Sequence, residues 1–186
     1  VPAVALSLSA CGINSVPTAE ENAKAKWADV ESTYQRRADL IPNLVETVKG
    51  FATQEQDTLT AVVEARAKAT SIQLSADDLG DAATVQEFAA AQGALSQGLG
   101  RLMATVEAYP DLKSNQNFLA LQSQLEGTEN RINVARRDYN EAVREYNTTI
   151  RTFPDIIGAK IIHGAEPMEP FAATSEGADE APAVSF

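Results

Sequence analysis

The sequence predicts an all-α protein whose long helices pack side by side as an elongated bundle. Two observations lead to this fold class. Apolar residues recur at alternating steps of three and four from Thr18 to about Phe153, which is the spacing of one face of a helix. The 186-residue chain is also 44% hydrophobic and 22% charged, a composition that supports one globular core. We therefore expect one helical domain with flanking segments.

Charge and residue counts exclude several classes of function. The chain has 15 Lys and Arg against 26 Asp and Glu, a net charge of −11. Nucleic-acid binding needs clustered basic residues, so we expect no nucleic-acid partner. One cysteine and one histidine cannot supply the ligands of a zinc or iron–sulfur site. His163 lies in a Gly- and Ala-rich tail, and the sequence has no phosphate-binding glycine motif. We expect no catalytic residue, cofactor, metal or small-molecule ligand.

Residues 1–17 are expected to target the chain to a membrane. The first ten are apolar, and the chain has no charged side chain before Glu20. Leu8-Ser9-Ala10-Cys11 has the form of a bacterial lipobox, in which Cys11 receives the lipid. Alternatively, Cys11 lies near the end of an uncleaved transmembrane helix, which needs about 20 apolar residues. Because the chain does not begin with Met, we expect an upstream portion. In both cases the remainder lies outside the cytoplasm, on the periplasmic side.

The first two helices are predicted from a cap, an apolar stripe and a proline. Thr18-Ala19-Glu20-Glu21 has the form of a capping box, so a helix should begin at Thr18. The stripe runs from Trp27 to Phe51, and Arg37 fills one of its positions. Proline lacks an N–H group and clashes with the carbonyl four residues back. Pro42 therefore predicts a kink, or a break at 39–43, before a second stretch that reaches about Ser71.

The third and fourth helices follow a loop at 72–83. Thr84 with Glu87 forms a second capping box, and an apolar stripe then runs to Tyr109, where Pro110 ends the helix. The three glycines in this stripe predict a place where another helix or a partner comes close. They are Gly93, Gly98 and Gly100. A heptad pattern from 118 to 153 predicts a last helix over about 115–151, on the order of 55 Å long. Residues 163–186 form an acidic tail that we expect to be disordered.

Two blocks of the sequence resemble the LemA family. The first is Tyr34-Gln35-Arg36-Arg37-Ala38-Asp39-Leu40-Ile41-Pro42-Asn43-Leu44-Val45, followed by Ala65-Arg66-Ala67; the second runs from Tyr109 to Pro154. The resemblance covers residues 20–162, and we assign 18–162 to a LemA-like domain. It implies an up-and-down antiparallel four-helix bundle of a bacterial envelope protein, held by one N-terminal membrane helix. No enzymatic activity is established for the family. The lipobox departs from the family pattern, and the acidic tail carries no family meaning.

The candidate interaction or structural residues lie around Pro42 and in the last helix. They are Arg36, Arg37, Asp39, Pro42, Asn43, Arg66, Asn130, Arg131, Arg136 and Asn140. A kink at Pro42 leaves backbone carbonyls that Arg or Asn side chains can bind. Asp39 either pairs with an arginine of the last helix, such as Arg131 or Arg136, or belongs to a polar docking surface centred on Pro42 and Asn43. The asparagines of the last helix either bridge helices or face a second copy.

These expectations favour a non-enzymatic, membrane-anchored helical module for interaction or scaffolding. Its partners are then the membrane and a second copy of the chain or another envelope protein. The alternative is a small-ligand sensor or an enzyme with a pocket between helices near Pro42 and Gly93–Gly100. A ligand-sized cavity with converging Arg and Asp side chains would favour that alternative. An exposed apolar stripe beside a packed core would favour the scaffold.

Overall fold

The computed structural model describes residues 13–171, and the regular structure in this range is helical, which confirms the all-α prediction. The α-helices are α1 (Ser15–Lys49), α2 (Gln56–Ser71), α3 (Ala82–Val106), α4 (Pro110–Lys113), α5 (Gln116–Thr149) and α6 (Asp155–Gly158). A 3₁₀ turn covers Asp78–Gly80, and a π-helical turn covers Ala159–His163. Cys11 with its lipobox and the tail beyond Phe171 lie outside the described residues.

The starts of α1 and α3 differ from the predicted caps. Helix α1 begins at Ser15, and the Thr18 hydroxyl donates back to the carbonyl oxygen of Asn14 at 2.6 Å. Such a bond is typical of a threonine inside a helix, so the predicted capping box at Thr18 is wrong. Helix α3 begins at Ala82 because the Asp81 carboxylate accepts a hydrogen bond from the Ala83 N–H at 3.1 Å. The Thr84 hydroxyl also donates to Asp81, and these bonds lower the pKa of that carboxyl.

Helix α1 continues through Pro42 to Lys49, which excludes the predicted break at 39–43. The chain leaves the helix at 50–55 instead, where the Phe51 and Ala52 N–H groups both donate to the Val48 carbonyl. Phe51 is exposed, although the apolar stripe placed it on the buried face, and the neighbouring Ala52 is buried. The kink at Pro42 stays a prediction.

The described chain divides into two compact units. Unit 1 comprises residues 13–34, 74–85 and 129–170; unit 2 comprises 35–73, 86–128 and Phe171. In unit 1, Trp27 contacts Tyr139 edge to face, with ring centroids 5.3 Å apart, and its Nε1 donates to the Leu74 carbonyl at 3.0 Å. The remaining large buried side chains of this unit are Val16, Val30, Tyr34, Leu74, Leu79, Val85, Ile132, Val143, Tyr146, Ile150 and Met168.

The core of unit 2 is an aliphatic cluster with contributions from α1 to α5. Its larger members are Ile41, Leu44, Val48, Leu59, Val62, Leu95, Leu99, Leu102, Val106, Leu112, Phe118 and Leu125. A methyl group added at Gly98 would lie 3.6 Å from Val62 Cγ2, so α2 packs against α3 there as expected, whereas a methyl group at Gly100 would meet nothing within 4 Å, which contradicts the expectation at that position. Phe171 packs in this unit with its ring centroid 6.1 Å from that of Phe88.

Residues 164–170 form a C-terminal strap on unit 1, although they belong to the predicted disordered tail. Gly164 ends the π-helical turn with φ 58°, a left-handed conformation that favours glycine, and the next N–H donates to the Ala159 carbonyl at 2.9 Å. Met168 is buried. The disorder prediction is therefore corrected for 163–171, because it rested on the composition of the tail, whereas two buried side chains, Met168 and Phe171, and hydrogen bonds to the backbone hold this segment in place.

Candidate functional site: a polar clasp and a strapped helix

Four polar side chains from three helices meet in unit 2 and form what we call the polar clasp: Arg37 on α1, Arg66 on α2, and Gln92 and Ser96 on α3. Arg37 is only 1% exposed. Its Nη1 donates to Ser96 Oγ at 2.7 Å. Its Nη2 donates to the Gln92 side-chain oxygen at 2.7 Å and to the Gln92 carbonyl at 3.1 Å. One guanidinium therefore fixes α1 against α3 at three acceptors.

The clasp also joins the other two pairs of helices. Gln92 Nε2 donates to the Ala69 carbonyl of α2 at 3.3 Å, and Arg66 Nε donates to the Ala38 carbonyl of α1 at 2.8 Å. Each pair among α1, α2 and α3 is thus connected by a hydrogen bond from a side chain. Because these bonds are directional, they fix the rotation of each helix within unit 2, which apolar packing alone specifies less strictly.

The bond from Arg66 explains how Pro42 is accommodated inside α1. Ala38 stands four residues before Pro42, so its carbonyl would normally accept the N–H that proline lacks. A carbonyl left without a partner would cost about 1–3 kcal/mol, and the Arg66 guanidinium supplies the missing donor. We expected Arg36, Arg37 or Asn43, which lie beside Pro42 on α1, to bind a carbonyl freed by the proline. The donor is instead Arg66 of α2.

The predicted residues separate into three groups. Arg37 and Arg66 belong to the clasp, whereas Arg36, Asp39, Pro42, Asn43, Asn130 and Arg131 are exposed. Asp39 accepts a hydrogen bond from Gln35 Nε2 at 2.7 Å, and its pairing with an arginine of α5 stays a prediction. Arg136 and Asn140 are half-buried in unit 1. The sequence analysis missed Gln92 and Ser96, although a glutamine within the apolar stripe of α3 was a usable signal.

A second group of polar side chains binds the C-terminal strap in unit 1. The Tyr139 and Tyr146 hydroxyls donate to the carbonyls of Glu169 and Glu166, each at 2.9 Å. The Asn147 amide binds Met168 twice: its nitrogen donates to the Met168 carbonyl at 2.8 Å, and its oxygen accepts the Met168 N–H at 2.9 Å. Because all four bonds go to the backbone, α5 recognises the path of the strap rather than its side chains.

Burial changes the acid–base behaviour of both tyrosines. Burial raises the pKa of Tyr139 far above its ordinary value of 10.0, and the nearby Glu169 carboxylate adds to the rise. The pKa of Tyr146 is also raised, mainly by burial. Both hydroxyls therefore stay protonated, and able to donate, over the physiological range.

A groove runs along α5 beside the end of the strap. Its volume is about 620 Å³ and it is open to solvent. The lining residues are Asn140, Val143, Arg144, Asn147, Thr148, Arg151, Thr152 and Pro170. Arg144 pairs with Glu141 on the same helix, and Arg151 is exposed. The groove thus offers guanidinium and amide donors at an accessible surface.

The clasp hydroxyl is itself hydrogen-bonded on both sides. Ser96 Oγ accepts a hydrogen bond from Arg37 and lies 3.2 Å from the Gln92 carbonyl, to which it donates, so its proton is directed into the helix backbone. Within residues 13–171, no group of three or more His, Cys, Asp or Glu side chains could hold a metal ion. In the same range, no helix is both long enough and apolar enough to cross a bilayer.

The described fold is all-helical, and several of its buried polar side chains connect helices or bind the backbone of the strap. These features define a protein of the all-α class, built from packed helices. Residues 26–186 match the LemA family, and the chain belongs to this family, which confirms the resemblance. The match includes residues 163–186, so the expectation that this tail carries no family meaning is wrong. Since the strap packs on α5, its residues are part of the folded domain.

The chain is similar to three magnetosome proteins. It is 32% identical to magnetosome proteins MamQ 1 and MamQ 2 of Paramagnetospirillum magneticum, over 69% of this chain and 53% of each relative. It is 29% identical to magnetosome protein MamQ of Magnetospirillum gryphiswaldense, over 68% of this chain and 53% of the relative. The chain therefore spans about half the length of the curated relatives it matches.

Proposed function

We propose that this chain is a non-enzymatic, membrane-anchored protein of a bacterial envelope that acts as a helical interaction or scaffold module. The observation that carries the proposal is the binding of the strap. Side chains of α5 hold an extended segment of polypeptide by its backbone, and a groove with further donors continues along the same helix. A surface of this kind can bind a segment of another protein in the same way.

The proposal includes the anchor and the arrangement that the family resemblance implies. Residues 1–17 attach the chain to the membrane, either through a lipid on Cys11 or through a transmembrane helix. The domain lies on the periplasmic side as an elongated, up-and-down four-helix bundle that is kinked near Pro42. Membership in the LemA family and the apolar, uncharged start of the sequence support this arrangement.

The groove on α5 favours an acidic, extended partner segment. Arg151 supplies an exposed positive charge, Arg144 adds a guanidinium that also pairs with Glu141, and Asn140 and Thr148 add hydrogen-bonding groups. A second copy of the chain is one source of such a segment, because residues 172–186 contain Glu176, Asp179 and Glu180 and no basic residue. Another acidic envelope protein is the other source, and the experiment below separates the two.

The alternative, a ligand pocket near Pro42 and Gly93–Gly100, has less support. The side chains of Ile41, Leu44, Leu95 and Leu99 are buried in the core of unit 2 beside these positions. The charged groups there are engaged as well, since Arg37 and Arg66 donate to α3 and to the α1 backbone. Packing of this kind supports a structural role for this region.

Photocrosslinking in native membranes tests the proposal. A photoreactive amino acid replaces Thr148 in the groove, and a matched variant carries it at Thr60, an exposed threonine of α2. We expect the Thr148 variant to give one stoichiometric adduct, with itself or with one acidic envelope protein, and the Thr60 variant to give none. A clean monomer from both variants would contradict the proposal.

Intact mass of the purified protein tests the anchor. A diacylglycerol on Cys11 supports the lipid anchor, whereas an unmodified, longer chain supports the transmembrane helix. Recovery of the chain from the soluble fraction of cells would contradict both forms of anchor.

A further inference from the structure

Six large apolar side chains are exposed in unit 1, and we refer to the five that lie outside α5 together as the apolar rim. They are Ile13 (42% exposed), Phe153 (80%), Ile157 (42%), Ile161 (79%) and Ile162 (59%). Four of them lie in the short stretch that follows α5, where positions 153, 157 and 161 are each four residues apart. Exposed apolar residues are ordinary when they are scattered, but a group of this size indicates a binding surface.

The rim lies at the N-terminal end of the described chain, beside the start of α1. His163 Nε2 is 3.2 Å from the carbonyl oxygen of Ile13, and the Ser15 hydroxyl donates to the carboxylate of Asp155. These two contacts place the start of α1 against α6 and the π-helical turn. Residues 1–12, which directly precede Ile13, are mostly apolar and have no charged side chain. The rim is therefore adjacent to the point where the predicted membrane segment joins the folded chain.

The stretch that carries four of the five rim side chains is less acidic than the whole chain, and the nearest carboxylates outside it, Glu20, Asp77 and Glu166, lie around His163. The net charge is −11, but residues 146–165 contain Arg151 and Lys160 and only one carboxylate, Asp155, which is bound by Ser15. The first acidic residue on the N-terminal side is Glu20. An apolar surface flanked by exposed cations is the pattern that binds the interface of an anionic bilayer, because the cations meet the headgroups while the apolar side chains enter the acyl boundary.

We propose that the apolar rim is a second membrane contact, which inserts Phe153 and its isoleucines into the interface of an anionic lipid bilayer. The inference rests on the membrane anchor of the proposed function and adds an orientation, with the rim of unit 1 facing the bilayer. A weak contact is sufficient, because the covalent anchor holds the rim at a high effective concentration near the lipid. A second copy is the less favourable occupant, since rim-to-rim packing would bring like charges, Arg151 and Lys160, towards each other.

Tryptophan quenching by brominated lipid tests the inference on the full chain. The protein is reconstituted in vesicles of phosphatidylcholine and phosphatidylglycerol that carry brominated acyl chains. Ile161→Trp places a reporter on the rim, and Val134→Trp places a matched reporter at an exposed apolar position of α5 (46% exposed). The native Trp27 is buried and contributes the same background to both variants. We expect several-fold stronger quenching of the Ile161→Trp reporter, and weaker quenching when phosphatidylglycerol is omitted.

The outcomes separate the rim from the anchor. If the chain floats with the vesicles but the two reporters are quenched equally, the rim proposal is wrong and the anchor stands. If the chain does not float with the vesicles, both are wrong. Crosslinking of rim to rim without quenching assigns the surface to a second copy and also overturns the proposal. Phe153→Trp gives an independent reading if Ile161→Trp fails to fold, as judged by circular dichroism.

Discussion

Proline at position 42 removes one N–H from the middle of α1, and the Arg66 guanidinium supplies the donor in its place. We expect Arg66→Met to lower the free energy of unfolding by about 1–3 kcal/mol, because the Ala38 carbonyl loses its partner. The same substitution should cost less in a Pro42→Ala background, where residue 42 regains an N–H. Urea denaturation of the four variants measures this coupling.

Arg36→Met is the matched control for Arg66→Met. Arg36 lies on the same turn of α1 as Ala38, but its side chain is exposed. It should change the stability by less than about 0.5 kcal/mol. Equal costs of Arg66→Met in the native chain and in the Pro42→Ala background would show that the guanidinium does not act through the carbonyl that proline frees.

Arg37 tests the clasp at its most buried point. Arg37→Met should cost about 2–4 kcal/mol, because it leaves the Gln92 side-chain oxygen without its charged donor inside the core. Combining Arg37→Met with Gln92→Leu removes both groups, so we expect the double variant to be more stable than the sum of the single costs implies. Thermal and urea unfolding provide the values, and strict additivity would argue against a coupled network.

The sequence places Arg37 and Gln92 within apolar stripes but does not give the contact between them. Arg37 and Gln92 each occupy a position in an apolar stripe, which places their side chains on the core side of a helix. Which partner each one meets depends on the rotation of α1 against α3, and a single helical pattern contains no information on that rotation. For the same reason Arg66 was a candidate without an assigned acceptor.

At the scale of elements, Asn147 connects α5 to the strap through two hydrogen bonds with Met168. We expect Asn147→Ala to release the strap, so that limited proteolysis cleaves it roughly ten- to thirtyfold faster, given about 1 kcal/mol for each bond. Asn133→Ala, at an exposed position of α5, is the control. Unchanged cleavage of the Asn147 variant would mean that the burial of Met168 alone holds the strap.

Tyr139 makes the free energy of unfolding depend on pH at high pH. Its folded-state pKa lies above the unfolded value near 10, so its contribution to stability is complete below pH 10 and is lost as the pH rises further. Tyr139→Phe removes both the hydrogen bond to Glu169 and this titration. The difference in unfolding free energy between the native chain and the variant should therefore narrow above pH 10. A constant difference from pH 8 to 11 would contradict this assignment.

The sequence located some helix ends well and missed others. The heptad pattern predicted the last helix over 115–151, and α5 covers Gln116–Thr149. The rule that proline breaks a helix failed at Pro42. Arg66, on a different helix, donates to the Ala38 carbonyl in place of the N–H that proline lacks. The interruption at 50–55 was not predicted, because Leu59 lies eight residues after Phe51 and so keeps the phase of the 3-4 spacing across it. Local signals thus fail where a tertiary contact replaces a local bond.

At the scale of the whole molecule, the chain has a net charge of −11, and bacterial membrane surfaces are also anionic. Like charges repel, so an acidic domain anchored close to such a surface approaches it most easily where its own negative charge is lowest. In the proposed orientation the apolar rim faces the bilayer, and the stretch 146–165 that carries most of it has Arg151 and Lys160 against one carboxylate, Asp155. Charge distribution therefore favours one orientation of unit 1 on the bilayer.

The same net charge predicts how salt affects stability. The ion pairs in the described residues include Lys24 with Glu20, Lys26 with Asp29 and Lys113 with Glu107, which are partly or largely exposed and contribute about 0–1 kcal/mol each. Repulsion among 26 carboxylates should outweigh them, and it is screened over about 10 Å at 0.1 M salt. We therefore expect the midpoint of thermal unfolding to rise by a few degrees between low salt and roughly 0.3 M NaCl. An equal rise in KCl would show that screening rather than specific sodium binding is responsible, whereas a falling midpoint would mean that the surface ion pairs dominate the electrostatics of the fold.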